Sequence, residues 1–174
     1  MAVGLGTPPQ TVYFLADTGA NNVAVQSSLL PANLQSGIPI YNPTKSSTAR
    51  RLPGYTYQDT YNDYWDTGVV YNDVVTIGGV QFQNISICTM TNASRPSGAN
   101  SRAGNMGLDL TTTMSTSPGG LKSFMYAVRS VLDGMLYLHS MLFISCVGIT
   151  THSFNSRRLV HYLQQHSRGR VRDF

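Results

Sequence analysis

The chain has 174 residues, of which 41% are hydrophobic and 11% are charged, so it has room for one domain with a single sizeable core. All eight acidic residues are Asp, and the 16 Gly, 8 Pro and 10 Tyr favour short strands and turns. This composition excludes a mainly helical protein and predicts an all-β fold.

The net charge of +4 is unevenly distributed along the chain. Residues 1–137 hold seven bases and seven acids, whereas residues 138–174 hold five Arg and one Asp and supply the whole excess. The shift predicts a domain at residues 1–137 and an unrelated basic tail at residues 138–174. Because the tail lacks interleaved aromatic residues, we expect no nucleic-acid binding. Its longest apolar run, residues 135–149, is too short for a membrane span.

The first 54 residues predict three short strands and a long loop. A turn at residues 6–10 separates an apolar stretch at residues 2–5 from a β-branched and aromatic run at residues 11–16. A third strand is expected at residues 23–26. Residues 27–54 are rich in Ser, Pro, Asn and Thr and predict a surface loop.

The remainder of the domain predicts a hairpin, another strand and one helix. The hairpin strands are residues 55–64 and 68–77, with the tip near residues 62–64. After a turn at Gly78 and Gly79, residues 80–83 alternate as a half-buried strand does. A polar loop is expected at residues 91–105, and residues 121–132 show the apolar spacing of a helix.

Asp17, Thr18 and Gly19 form the motif with the clearest chemistry. An apolar strand ends in a carboxylate, Gly19 permits a tight turn, and Thr18 can hydrogen-bond its surroundings. Two such carboxylates that share one proton can activate water. The same tripeptide recurs at residues 66–68, which we interpret as a turn in the hairpin because it lacks a strand entering from the core.

Several ordered segments resemble pepsin-like aspartic proteases, especially the fungal branch. The resemblance begins with the sequence VGLGTPPQ at residues 3–10 and Asp17-Thr18-Gly19, and continues with YNPTKSSTA at residues 41–49. It extends through VYNDVVTIGG at residues 70–79 and Met106-Gly107-Leu108 to a helix at residues 121–136. The match covers residues 3–137 and implies the N-terminal lobe of a bilobal fold, a double-psi barrel-like sandwich.

The resemblance implies an acid endopeptidase that acts on extended peptide substrates without a metal or other cofactor. Asp17 would be the first catalytic aspartate, supported by Thr18 and Gly19. Tyr61 would be the flap tyrosine, with Asn62 and Asp63 at the flap tip. The second lobe, with its second aspartate, is missing from the chain, so we expect the chain to be inactive alone.

Four residues depart from the family pattern. Ala20 stands where Ser usually supports the carboxylate, and Ala24 where Trp is expected to hydrogen-bond the flap tyrosine. Asn62 replaces a glycine at the flap tip, and Asn105 replaces an apolar residue beside the aspartate loop. Without the tryptophan, we expect the flap to lose its anchor, which is the hydrogen bond that holds the flap tyrosine.

Two alternatives to the enzyme interpretation remain open. In the first, the chain is a non-catalytic lobe fragment. In the second, two copies of the chain form a retroviral-style homodimer in which the two Asp17 residues make the catalytic dyad. The tail resembles nothing in the family and suggests translated intron or frameshifted sequence. We expect an isolated lobe to expose strand edges and to aggregate.

The family is extracellular, and two sequons agree with secretion. Asn84 and Asn92 each begin an Asn-X-Ser sequence, and Asn92 is the better glycosylation candidate because it is expected in a polar loop. Residues 1–4 lead directly into strand-like sequence, so no signal peptide is expected in this chain.

Overall fold

The computed structural model describes residues 1–62, 64–95 and 102–132. Within these residues the fold is all-β with one short helix, as predicted, and two short 3-10 helices lie at Ala32–Leu34 and Pro43–Lys45. The predicted tail at residues 138–174 and its boundary with the domain lie outside the described residues. The elements are β1 (Ala2–Leu5), β2 (Gln10–Asp17), β3 (Val23–Gln26), β4 (Arg50–Tyr61), β5 (Tyr64–Ile77), β6 (Val80–Ala93), β7 (Gly104–Gly107), β8 (Thr116–Ser117) and α1 (Phe124–Leu132).

Six of the strands close into a barrel. The hydrogen-bonded order is β1-β2-β7-β3-β6-β5, and β1 also pairs with β5, which completes the ring. The pairs β2–β7 and β3–β6 are parallel, and the remaining pairs of the ring are antiparallel. Strands β4 and β8 extend the sheet beyond β5. The closed ring leaves no free edge among its six members.

Successive side chains of each strand point to opposite faces of the sheet, so one set of them lies inside the barrel. In β2, Val12 and Phe14 are buried, whereas Tyr13 and Leu15 are exposed on the other face. Complete burial of an apolar side chain such as Phe14 contributes roughly 1.5–3 kcal/mol to stability. The two-residue period that predicts the strand therefore also selects the residues of the core.

The hairpin of β4 and β5 is longer than the sequence suggests. Strand β4 begins at Arg50, and Tyr61 and Tyr64 are the final pair before the tip. The interpretation of residues 66–68 as a turn is wrong, because they lie inside β5. Asp66 pairs with Asp59 on β4 and with Ala93 on β6, so a second carboxylate enters the sheet.

Gly68 explains why this segment can lie inside the sheet. A Cβ atom added there would stand 1.9 Å from the carbonyl oxygen of Thr89 on β6, so only glycine permits the two strands to approach. Glycine in this sequence indicates close backbone contact as well as turns.

Three boundaries differ from the predicted ones. Strand β6 continues to Ala93, so Asn92 pairs with Thr67 within the sheet instead of lying in a loop. The predicted polar loop also overlaps β7, which contains Asn105. The helix begins at Phe124, three residues later than expected. No helix in the described ranges is long and apolar enough to cross a membrane.

Candidate active site

Asp17 is the last residue of β2 and is half-buried where β2 and β7 run in parallel. Its Oδ1 atom accepts a 2.9 Å hydrogen bond from the backbone N–H of Gly19. Thr18 is exposed beside it. The turn itself therefore holds the carboxyl group in a defined orientation, since the donor is only two residues away.

Strand β7 reaches the Asp17 loop because two glycines leave space for the neighbouring backbone. A Cβ atom at Gly104 would lie 2.0 Å from the carbonyl oxygen of Ala24, and one at Gly107 would lie 2.5 Å from that of Asn22. The N–H of Gly107 also donates a 2.9 Å hydrogen bond to the Asn22 carbonyl. A side chain at either glycine would push β7 away from the backbone of residues 20–25 and so disturb the strand that lies beside Asp17.

Tyr61 stands at the end of β4, next to the hairpin tip. Its side chain is 39% exposed, and its ring centroid lies 6.1 Å from that of Tyr64. Burial raises the pKa of Tyr61 to about 12, and the charge of Asp59 adds to the rise. The phenol is therefore neutral at acid and neutral pH and interacts through hydrogen bonds. Asn62 forms part of the tip, and Asp63 lies outside the described residues.

Asn105 joins the aspartate loop to the hairpin. Its side-chain nitrogen Nδ2 is 3.2 Å from Oδ2 of Asp17 and 3.2 Å from the hydroxyl oxygen of Tyr61. The two partners come from β2 and β4, which are not neighbours in the sheet. One side chain thus brings together the two residues that the sequence predicted for the site.

Asp59 and Asp66 form a second acidic group near the tip of the hairpin, directly opposite each other on β4 and β5 and two residue pairs from the final Tyr61–Tyr64 pair. Asp66 is 2% exposed, and its Oδ1 atom is buried without a hydrogen-bond partner among the described residues. Asp59 accepts a 2.8 Å hydrogen bond from the side chain of the buried Asn22.

The pKa values of both carboxyl groups are raised. Burial raises the pKa of Asp66 to about 6, and the charge of Asp59 adds to the rise, while the nearby hydroxyl groups of Tyr57 and Tyr64 oppose it. Burial also raises the pKa of Asp59, against the opposing hydrogen bond from Asn22. This pair was not predicted from the sequence, because Asp66 was expected in a turn. The cross-strand register of the hairpin is the signal that could have found it.

A model of the eukaryotic aspartyl protease family matches residues 1–137. The chain belongs to the eukaryotic aspartyl proteases. It is 36% identical over 133 residues to podosporapepsin of Podospora anserina, a match that covers 75% of this chain and 31% of the relative. Endothiapepsin of Cryphonectria parasitica is 33% identical over 137 residues, covering 78% of this chain and 33% of the relative.

A third relative, penicillopepsin-1 of Penicillium janthinellum, is 34% identical over 124 residues, covering 70% of this chain and 38% of the relative. The chain thus spans about a third of the length of the curated relatives it matches. The family match confirms the resemblance found in the sequence and the fold of the N-terminal lobe.

The two sequons of this aspartyl protease chain lie on β6. Asn84 is exposed and adopts a positive φ of 58°, and its side-chain oxygen accepts a 2.9 Å hydrogen bond from Asn72. Asn92 is exposed, and its side-chain oxygen accepts a hydrogen bond from the N–H of Ala93. Both side chains face solvent, and glycosylation at either stays a prediction.

Proposed function

We propose that this chain supplies one half of an aspartic endopeptidase centre, with Asp17 as the first of two catalytic carboxylates. The observation that carries the proposal is the placement of Asp17. It is half-buried at the end of two parallel strands, with a donor on each carboxylate oxygen and Tyr61 facing it through Asn105. Thr18 and Gly19 form its supporting turn.

The chemistry requires a second carboxylate close to the first. One group must be ionised to take a proton from water, while the other stays protonated to polarise the peptide carbonyl. Two like charges about 3 Å apart cannot both ionise, so the pair shares one proton. Asp59 and Asp66 lie near the hairpin tip, and neither is hydrogen-bonded to Asp17 in the described residues. The partner carboxylate therefore comes from another lobe, and we propose that this chain is inactive alone.

The hairpin of β4 and β5 acts as the flap in this proposal. Tyr61 is partly exposed above the carboxylate, so closure of the hairpin over an extended peptide would exclude water and hold the substrate. Asn62 and Asp63 would contact the peptide at the flap tip. We propose an extracellular location, which agrees with the two exposed sequons.

An acid proteolysis assay tests the proposal. The full chain is incubated with a denatured protein between about pH 3 and 5, alone and together with the part of podosporapepsin that follows the matched region. We expect cleavage only in the mixture, and none when Asp17→Asn replaces the native chain. Cleavage that the Asp17→Asn chain supports equally well in the mixture would refute the catalytic role of Asp17.

The concentration dependence of the chain alone distinguishes the homodimer alternative. Cleavage that rises with the square of concentration and disappears in Asp17→Asn would show a dyad made by two copies. That result would overturn the proposed inactivity and retain Asp17 as catalytic.

A further inference from the structure

We propose that Asn105 is a positioning residue that replaces two absent side chains, by hydrogen-bonding both the Asp17 carboxylate and the flap residue Tyr61. The inference rests on the proposed function, because it concerns the same site. It gives the flap an anchor other than the expected tryptophan, and it assigns a role to the departure at Asn105.

The topology places Asn105 where it can reach both partners. Strand β7 lies between β2 and β3, and Asn105 pairs with Leu15 on one side and with Ala24 on the other. Ala24, directly opposite Asn105, is buried and carries only a methyl group, which is smaller than the indole that the family pattern expects there. The residues flanking this position include Gly104, whose missing side chain lets β7 approach β3.

The chemistry of the amide suits both contacts. An ionised carboxylate only accepts hydrogen bonds, so the amide nitrogen of Asn105 must face Asp17, with the amide oxygen directed elsewhere. That nitrogen carries two hydrogens, and it lies 3.2 Å from both Oδ2 of Asp17 and the Tyr61 hydroxyl. Leucine has no donor, and aspartate would place a second negative charge against the first.

The two contacts match the two departures in the sequence. Ala20 has no hydroxyl to support the carboxylate, and Oδ2 of Asp17 instead receives the Asn105 amide. Ala24 has no indole to hold the flap tyrosine, and Tyr61 instead accepts from the same amide. We infer that one donor group thus replaces two side chains, one from the loop after β2 and one from β3.

The arrangement also leaves the Tyr61 proton available. Because the hydroxyl oxygen accepts from Asn105, its hydrogen is free to donate to a peptide beneath the flap. A hydrogen bond from Asn105 to an ionised carboxylate is stronger than one to a neutral group, so Asn105 is held most firmly when Asp17 is charged. The position of the flap is therefore coupled to the charge of Asp17.

Amide hydrogen exchange of the hairpin tests this coupling in the full chain without requiring catalysis. Asn105→Leu and Tyr61→Phe should each accelerate exchange of the hairpin amides about fivefold, the factor that one hydrogen bond of ordinary strength contributes. The double variant should exchange no faster than either single variant, since both changes remove the same bond. Tyr126→Phe is the matched control, because Tyr126 on α1 is also 39% exposed.

A second readout covers the case in which Asn105→Leu fails to fold. Trp65 is the one tryptophan of the chain and lies on β5, opposite Thr60, so its collisional quenching reports hairpin motion. Asp17→Asn removes the charge that holds Asn105 and should also increase quenching, whereas Tyr126→Phe should not. Additive effects of Asn105→Leu and Tyr61→Phe, or unchanged quenching in Asp17→Asn, would overturn the inference. Neither result depends on proteolysis, so failure of the proposed function is recognised separately.

Discussion

Replacement of Asp66 by Asn removes a buried acid whose ionisation the folded chain resists. The side chain is 2% exposed, and burial raises its pKa from 3.8 to about 6. The folded state therefore binds the proton more tightly than the unfolded state does. This contribution to stability is fully present below the unfolded pKa and is lost as the pH rises through the folded pKa.

The size of the effect follows from the pKa difference. The rise from 3.8 to about 6 is roughly two units, and each unit corresponds to about 1.4 kcal/mol. Ionisation of Asp66 should therefore lower the free energy of unfolding by about 2 kcal/mol between about pH 4 and pH 7.5, since pH 4 already lies just above the unfolded pKa. Asp59, whose pKa is also raised, adds a further decrease in the same direction.

Urea unfolding at the two pH values measures this difference, with Trp65 beside Asp66 as the fluorescent probe. The native chain should lose about 2 kcal/mol more than Asp66→Asn does between the two conditions, and Asp66→Asn should be the more stable chain at pH 7.5. Asp109→Asn serves as the control, because it removes an acid outside the hairpin. Equal pH dependence in the native chain and Asp66→Asn would refute the reasoning.

Two further substitutions test the packing that supports the site. Gly104→Ala should cost several kcal/mol or prevent folding, because the new methyl carbon would lie 2.0 Å from the carbonyl oxygen of Ala24. Gly119→Ala is the control, because its added carbon meets no atom nearer than 3.9 Å and should change the melting temperature little. Equal melting temperatures for the two variants would contradict the packing argument. Tyr41→Phe removes a buried 2.5 Å hydrogen bond to Asp73 and should lower the free energy of unfolding, measured in urea, by about 1–3 kcal/mol. An unchanged urea midpoint would show that the bond does not stabilise the fold.

Structural features that are formed by residues adjacent in the sequence could be predicted from the sequence. The apolar strand that ends at Asp17 and the tight turn at Gly19 were both visible within six residues of sequence. The family resemblance supplied the role of Tyr61, because composition alone does not distinguish it from the other tyrosines of the hairpin.

The parts that could not be predicted depend on strand register. Asn105 is 88 positions from Asp17 along the chain, and its contact arises only because β7 inserts between β2 and β3. The second Asp-Thr-Gly sequence has the same letters as the first, yet its Asp66 faces Asp59 inside a sheet. A tripeptide does not encode which backbone passes beside it, so the local sequence favoured a turn at residues 66–68 where the structure has a strand.

The insertion of β7 has a consequence for the order in which the protein forms during synthesis. Strands β2 and β3 leave the ribosome early, but they do not pair with each other, and the strand that separates them is translated about eighty residues later. A nascent chain that stops before residue 104 thus holds an open gap beside Asp17. Chains synthesise and fold from the N-terminus, so contacts between distant segments form late. Asp17 is translated well before the strand that completes its surroundings, and until then β2 is open to pairing with another nascent chain.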